Sequence, residues 1–142
     1  MKILIENAVP LNNGDAALIY ALGNKFEKRG DEVTYSTTHY EKVQNKYPSK
    51  SWIKTFISLR GINKPVFGFC LLFLKVFFSK KHREYDAIIS APGGYINSYY
   101  GFKRKLQLMV MYKKLLGKKI YMYSQSDGKK PNSPCLIVMK KR

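Results

Sequence analysis

KILIENAVPLNNGDAALIYALGNKFEKRGDEVTYSTT, residues 2–38, decides the fold class of this 142-residue chain. It opens with Lys2-Ile3-Leu4-Ile5-Glu6-Asn7, a short apolar run followed by Pro10, two asparagines and Gly14, the pattern of a buried strand leading into a loop. Ala17, Leu18, Ala21, Leu22, Lys25 and Phe26 then recur at spacings of three and four. This predicts a helix from about Asp15 to Lys28 with those residues along its apolar stripe. Lys28-Arg29 places cations in the last turn, and Gly30 supplies a residue able to close the helix in the left-handed conformation. Glu32 to Thr38 is β-branched and aromatic, which reads as a second strand. A strand, helix and strand joined this tightly form a right-handed crossover with parallel strands, the start of a doubly wound α/β sheet.

The same grammar repeats further along. Tyr85-Asp86-Ala87-Ile88-Ile89-Ser90-Ala91 is a buried-strand pattern that runs into Pro92-Gly93-Gly94-Tyr95. Leu106, Met109, Val110, Lys113, Lys114 and Leu116 outline a basic amphipathic helix closed by Gly117, and Lys119 to Ser124 gives a further strand. Residues 40–64 are polar, basic and aperiodic with scattered aromatics, and read as loop with one short helix. Beyond Ser126 the pattern fails. Asp127 to Pro134 is turn-forming and charged, and Leu136 to Met139 is too short for another strand-helix unit. The expectation is one domain over residues 1–126 and an irregular basic tail over 127–142, with the architecture stopping part-way.

A chain of this length can remove roughly 68–70% of its unfolded surface from water. Its 45% hydrophobic and 14% aromatic content argues against disorder. The net charge of +17 is uneven: residues 1–45 hold five Lys/Arg and six Asp/Glu, whereas residues 46–142 hold 21 and three. Such a field attracts anionic lipid, nucleic acid or phosphorylated substrates without choosing among them, and it also serves simple solubility. Cys70 and Cys135 lack the spacing of a metal or redox pair, and the amino terminus has too few apolar residues for a secretory signal, so the expected setting is cytoplasmic.

Pro65 to Ser79 is the most hydrophobic stretch, broken only by Gly68 and Lys75, and is too short for a membrane span. Two readings stay open: a helix packed on the sheet, or a helix lying partly in the interface of an anionic membrane beside the basic flank Lys80-Lys81-His82-Arg83.

In an open α/β sheet, ligands gather where strands end and loops lead into helices. Three such loops are visible: Asn7 to Asp15, Pro92 to Asn97, and Gln125-Ser126. In the first, Asn12, Gly14 and Asp15 stand at a helix start whose amides favour an anionic group, unless Asp15 itself takes those amides as a cap. In the second, Gly93 and Gly94 allow a sharp turn, with Tyr95 and Asn97 able to stack on or hydrogen-bond a sugar, unless the glycines merely admit close packing. Neither loop matches the dinucleotide or triphosphate glycine motifs, no metal-ligand spacing is present, and no cofactor is called for. His39 and His82 lack a nucleophile partner and read as solvent-exposed or capping residues.

Taken together, Lys2 to Ile5, Asn12-Asn13-Gly14-Asp15-Ala16-Ala17-Leu18 and Tyr85 to Gly94 resemble the amino-terminal half of the polysaccharide pyruvyl transferase family, and Gly117 to Ser126 is similar to that family's next strand and Gln-Ser loop. The resemblance covers residues 1 to about 126. It implies a Rossmann-like, mostly parallel sheet with helices on both faces, forming one half of a two-domain fold of the GT-B type with the active site between the halves. The implied reaction transfers a pyruvyl group from phosphoenolpyruvate to a saccharide acceptor of a cell-surface or exopolysaccharide. It also implies Asn12, Gly14, Asp15, Gly93, Gly94, Gln125 and Ser126 as cleft-facing positions, with Asp15 a weaker candidate for a general base. Asp127-Gly128-Lys129 departs from the family pattern, and the second domain is absent, so this chain by itself is expected to be inactive. The rival readings are a non-enzymatic basic module that binds anionic membrane or nucleic acid, the latter disfavoured by the lack of an RNA-binding motif, and half of a nucleotide-sugar glycosyltransferase.

Overall fold

The computed structural model describes residues 1–58, 64–92 and 102–122. In chain order these form β1 (Lys2–Glu6), α1 (Asn13–Glu27), β2 (Glu32–Thr37), α2 (Tyr40–Lys46), β3 (Ser51–Lys54), a 3-10 turn (Phe56–Ser58), α3 (Pro65–Phe77), α4 (Lys80–Arg83), β4 (Ala87–Ser90), α5 (Phe102–Leu116) and β5 (Lys119–Met122). The strands make one sheet in the order β3-β2-β1-β4-β5, with every neighbouring pair parallel. This is a Rossmann-like α/β fold, and β1 lies at its centre.

Alternation along the strands builds two cores. Ile5 pairs with Tyr35 and Ile89, and Tyr35 with Trp52, so one face carries the row Trp52, Tyr35, Ile5 and Ile89. Ile19 and Leu22 of α1 and Val43 of α2 cover it. One residue back, Leu4 pairs with Ile88 and Ile88 with Ile120 on the opposite face, covered by Leu72 and Val76 of α3 and by Leu108, Met109 and Tyr112 of α5. Because side chains alternate with a period of two, a strand buried on both faces must be apolar throughout, as Ile3-Leu4-Ile5 is. Each such aliphatic side chain contributes about 1.5–3 kcal/mol by leaving water.

Gly30 and Gly117 follow α1 and α5 with φ of 80° and 64°, the left-handed closures expected of them. Two other expectations change. The buried face of α1 is Ala16, Ile19, Leu22 and Gly23, while Ala17, Leu18 and Ala21 are exposed. The helix carries two overlapping apolar sets, and Gly23 selects between them by letting the Tyr35 ring lie against the helix backbone. Residues 40–64 also hold the edge strand β3 besides the short helix. Only Trp52 and Ile53 are buried in its four residues, too few to announce a strand.

A Cβ at Gly23 would overlap Tyr35 Oη and lie 2.8 Å from its Cζ, and the fully buried Tyr35 is wedged against Trp52 and Tyr20. Gly23→Ala should therefore lose about 1–3 kcal/mol in urea unfolding despite alanine's better helix propensity, as expected of overpacking. Gly30→Ala loses stability through its positive φ instead, with open space around the added methyl.

Candidate functional site at the carboxyl edge of the sheet

Strand register brings the ends of three strands to one edge. Glu6 pairs with Ser90, Ser90 with Met122, and the Ala91 amide donates to the Glu6 carbonyl at 2.8 Å. The chain therefore leaves β1, β4 and β5 along a single row. The switch in strand order lies between β1 and β4, where open α/β sheets bind ligands. Gly93, Gly94, Tyr95 and Asn97, and likewise Gln125 and Ser126, lie outside the described residues. Of the expected positions, Asn12, Gly14 and Asp15 are placed.

Asn12 is the N-cap of α1, in extended conformation with φ −104° and ψ 162°. Its Oδ1 accepts from the Asp15 amide at 2.7 Å, and its Nδ2 donates to Asp15 Oδ2 at 2.7 Å. The capping role weighed for Asp15 thus belongs to Asn12. Asp15 already has helical backbone, three residues on, and its carboxylate closes a reciprocal pair with the cap. This places a negative charge in the first turn, where it offsets the positive end of the helix dipole. Such an end suits hydroxyl groups better than phosphate.

Gly14 has no internal reason to be glycine among the described residues. Its φ is not positive, and an added Cβ would meet only Asn12 Oδ1, at an ordinary 3.6 Å. Glycine early in a helix gives up stability relative to alanine, so its remaining use is close approach of something else to the backbone.

Sequence reasoning missed Asn7, the residue that marks this edge most clearly. It follows β1 with φ 64°, the sole non-glycine residue with positive φ among those described. It is 3% exposed, and neither amide atom of its side chain has a hydrogen-bond partner among the described residues. A buried amide without partners costs about 1–3 kcal/mol. Backbone outliers of this kind collect at ligand sites. The available signal was a polar Glu6-Asn7 pair ending an otherwise apolar central strand.

Glu6 was likewise missed. Its side chain is fully buried on the α3/α5 face, where Oε1 accepts from Ser36 Oγ at 3.0 Å and Thr55 Oγ1 at 2.5 Å, and Oε2 accepts from Tyr112 Oη at 3.3 Å. Burial raises its pKa above the usual carboxylate value, and the donated hydrogen bonds pull partly back. Burial and the adjacent carboxylate hold the Tyr112 hydroxyl neutral, well above its ordinary pKa. The Tyr112 ring stacks on His82 at 5.4 Å. His39 is exposed as expected, but His82 is not: it is 4% exposed, with Nδ1 2.7 Å from Ser79 Oγ and Nε2 without a partner. Its ring fills the space between Phe56, Tyr85 and Tyr112, a contact that a basic local sequence conceals.

Burial, reinforced by the neighbouring Lys81 charge, lowers the His82 pKa to about 4. The unfolded chain therefore binds a proton that the folded chain resists. This stability is present in full above the unfolded value near 6.5 and is lost as pH falls toward 4, by up to about 3 kcal/mol. Glu6 runs the other way, since its raised pKa lets the folded state take a proton first on acidification. Urea titrations between pH 7 and pH 4.5 should thus show a steeper acid loss in Glu6→Gln than in wild type, and a flatter profile in His82→Asn. Identical pH slopes in all three proteins would contradict this assignment.

No family model, no curated protein and no solved structure matches the chain.

Proposed function

We propose that this domain is the acceptor-side half of a polysaccharide pyruvyl transferase-like enzyme, and that the carboxyl edge of its sheet forms one wall of a cleft that holds a saccharide. The observation that carries the reading is the buried, unpartnered Asn7 amide at the end of the central strand, level with the exit of β4. An amide offers both a donor and an acceptor, which matches the paired hydroxyls of a sugar. The neutralised start of α1 and the unforced Gly14 support a polar, uncharged ligand at close range. The resemblance of residues 2–5, 12–18, 85–94 and 117–126 to the family supports the reaction class.

In this reading C2 of phosphoenolpyruvate forms bonds to two hydroxyl oxygens of one sugar while its bond to the phosphate oxygen breaks; the methylene carbon takes up one proton to become a methyl, and the second hydroxyl proton leaves with inorganic phosphate. The donor needs cations for its carboxylate and phosphate and an acid for its methylene carbon, and the attacking hydroxyls need a base. The first of these requirements falls to an opposing domain of GT-B type, and the described residues supply the acceptor side. Asp15 is tied to Asn12 and orients the α1 start. In this reading the enzyme works in the cytoplasm, beside the inner face of a membrane.

Asn7→Gly and Gly14→Ala separate binding from folding. Glycine relieves the positive φ and removes an unsatisfied amide, and alanine suits a helix, so both variants should unfold within about 1 kcal/mol of wild type. Calorimetry with acidic and neutral oligosaccharides should show each losing tenfold or more in affinity, about 1.4 kcal/mol. Nucleotide sugar binding at these residues in place of free saccharide would replace the pyruvyl reading with a glycosyltransferase one. Unchanged saccharide binding in both variants would remove the site.

A further inference from the structure

α3 departs from the rule that a helix on a sheet hides its apolar side. Leu72 and Val76 reach the core, yet Val66, Phe67, Phe69, Phe73, Leu74 and Phe77 are 39–77% exposed, and Phe78 just beyond is 72% exposed. At 100° per residue, the outward half of this helix, from Phe69 round to Phe78, is apolar without interruption, and Lys64 and Lys75 fall together at one edge. Scattered exposed apolar residues need no explanation, but a contiguous face of this kind marks an interaction surface. It continues into a groove of about 440 Å³ between α3 and α5, walled by Phe69, Phe73, Leu106, Val110 and Leu115, with Lys103 and Lys114 at its rim.

Charge identifies the occupant. From Lys64 to Met122 the sequence has twelve Lys/Arg and only two acids, Glu84 and Asp86, and α3, α4 and α5 carry no acid at all. A second copy docking through this face would bring like charges together. A surface that is apolar below and anionic above suits both parts at once. No helix among the described residues is long and apolar enough to cross a membrane, so the fit is to the interface plane.

We propose that the outer face of α3, with the α3–α5 groove and its rim of lysines, docks onto the surface of an anionic lipid bilayer. The helix, about 20 Å long, lies in the plane of the interface. Phe67, Phe73, Leu74 and Phe77 enter the headgroup–acyl boundary, while Lys75, Lys80, Lys81 and Lys114 meet lipid phosphates. This surface is separate from the carboxyl edge of the sheet, so it gives the membrane-side placement a physical basis without depending on the saccharide site, and the two can fail independently.

The test is cosedimentation of the full chain with vesicles containing about one anionic phosphatidylglycerol in three lipids, against pure phosphatidylcholine. Binding should be at least tenfold stronger to the anionic vesicles. Phe67→Glu combined with Leu74→Glu, at positions already exposed, should abolish it while far-UV circular dichroism is unchanged, and Lys80→Glu with Lys81→Glu should weaken it and reduce its salt dependence. A Phe67→Trp reporter should shift its emission to the blue on adding anionic vesicles. Three results would overturn the proposal: equal binding by wild type and the Phe67/Leu74 variant, which would mean charge attraction alone; a concentration-dependent dimer abolished by that variant with no vesicle binding; or salt-sensitive retention on single-stranded nucleic acid with no vesicle binding.

Discussion

The buried Glu6 carboxylate is the constraint on which the carboxyl edge depends. Its three hydroxyl partners stand 30, 49 and 106 residues away, on β2, just after β3, and on α5. A carboxylate taken from water is costly unless its oxygens are hydrogen-bonded, so all three donors must arrive together. That requirement fixes the end of β1 relative to β2, the end of β3 and α5. Asn7 inherits its position from Glu6: the chain is held on one side by the Ala91 amide on the Glu6 carbonyl and on the other by the Ala8 amide on the Ser36 carbonyl. Between these two anchors the backbone turns through a left-handed residue, which asparagine tolerates better than most.

The molecule is unevenly invested. The face under α1 and α2 is closed by a tight aromatic group, Tyr20, Tyr35, Tyr47 and Trp52, whose fit requires a glycine on the helix. The opposite face is closed only beneath α3 and α5 and is left apolar outside. Stability resides in the first face; the second face and the carboxyl edge keep features that a purely structural optimum would remove. An unpartnered Asn7 amide, an unforced Gly14 and an exposed phenylalanine surface each lower stability or solubility. Their common location, at the rim and outer layer of the sheet, is what the proposed saccharide and membrane contacts account for.

Much of the fold was legible in residues 2–38, because apolar runs, helical spacing and glycine closure are local signals. The strands over 85–91 and 119–124 and the helix near 106–116 were legible for the same reason. Legibility failed where a segment offered more than one solution. α1 has two apolar sets a residue apart, and α3 is apolar on every side but the narrow edge at Lys75, so periodicity could not say which side faces in. β3 has only two core residues and borrows its strand conformation from β2. His82 sits among Lys80, Lys81 and Arg83, and nothing local shows that its ring turns inward.

For the site, the sequence alone determined the candidate loops and the helix start at Asn12 to Asp15, because motif spacing is a one-dimensional property. Only the tertiary structure decided that Asn12 caps in place of Asp15 and that, among the described residues, Gly14 meets no crowding and the buried Asn7 amide has no partner. Those facts depend on what surrounds each group. Surroundings are set by strand register, which brings together residues up to a hundred positions apart and leaves no trace in the local pattern of any one of them.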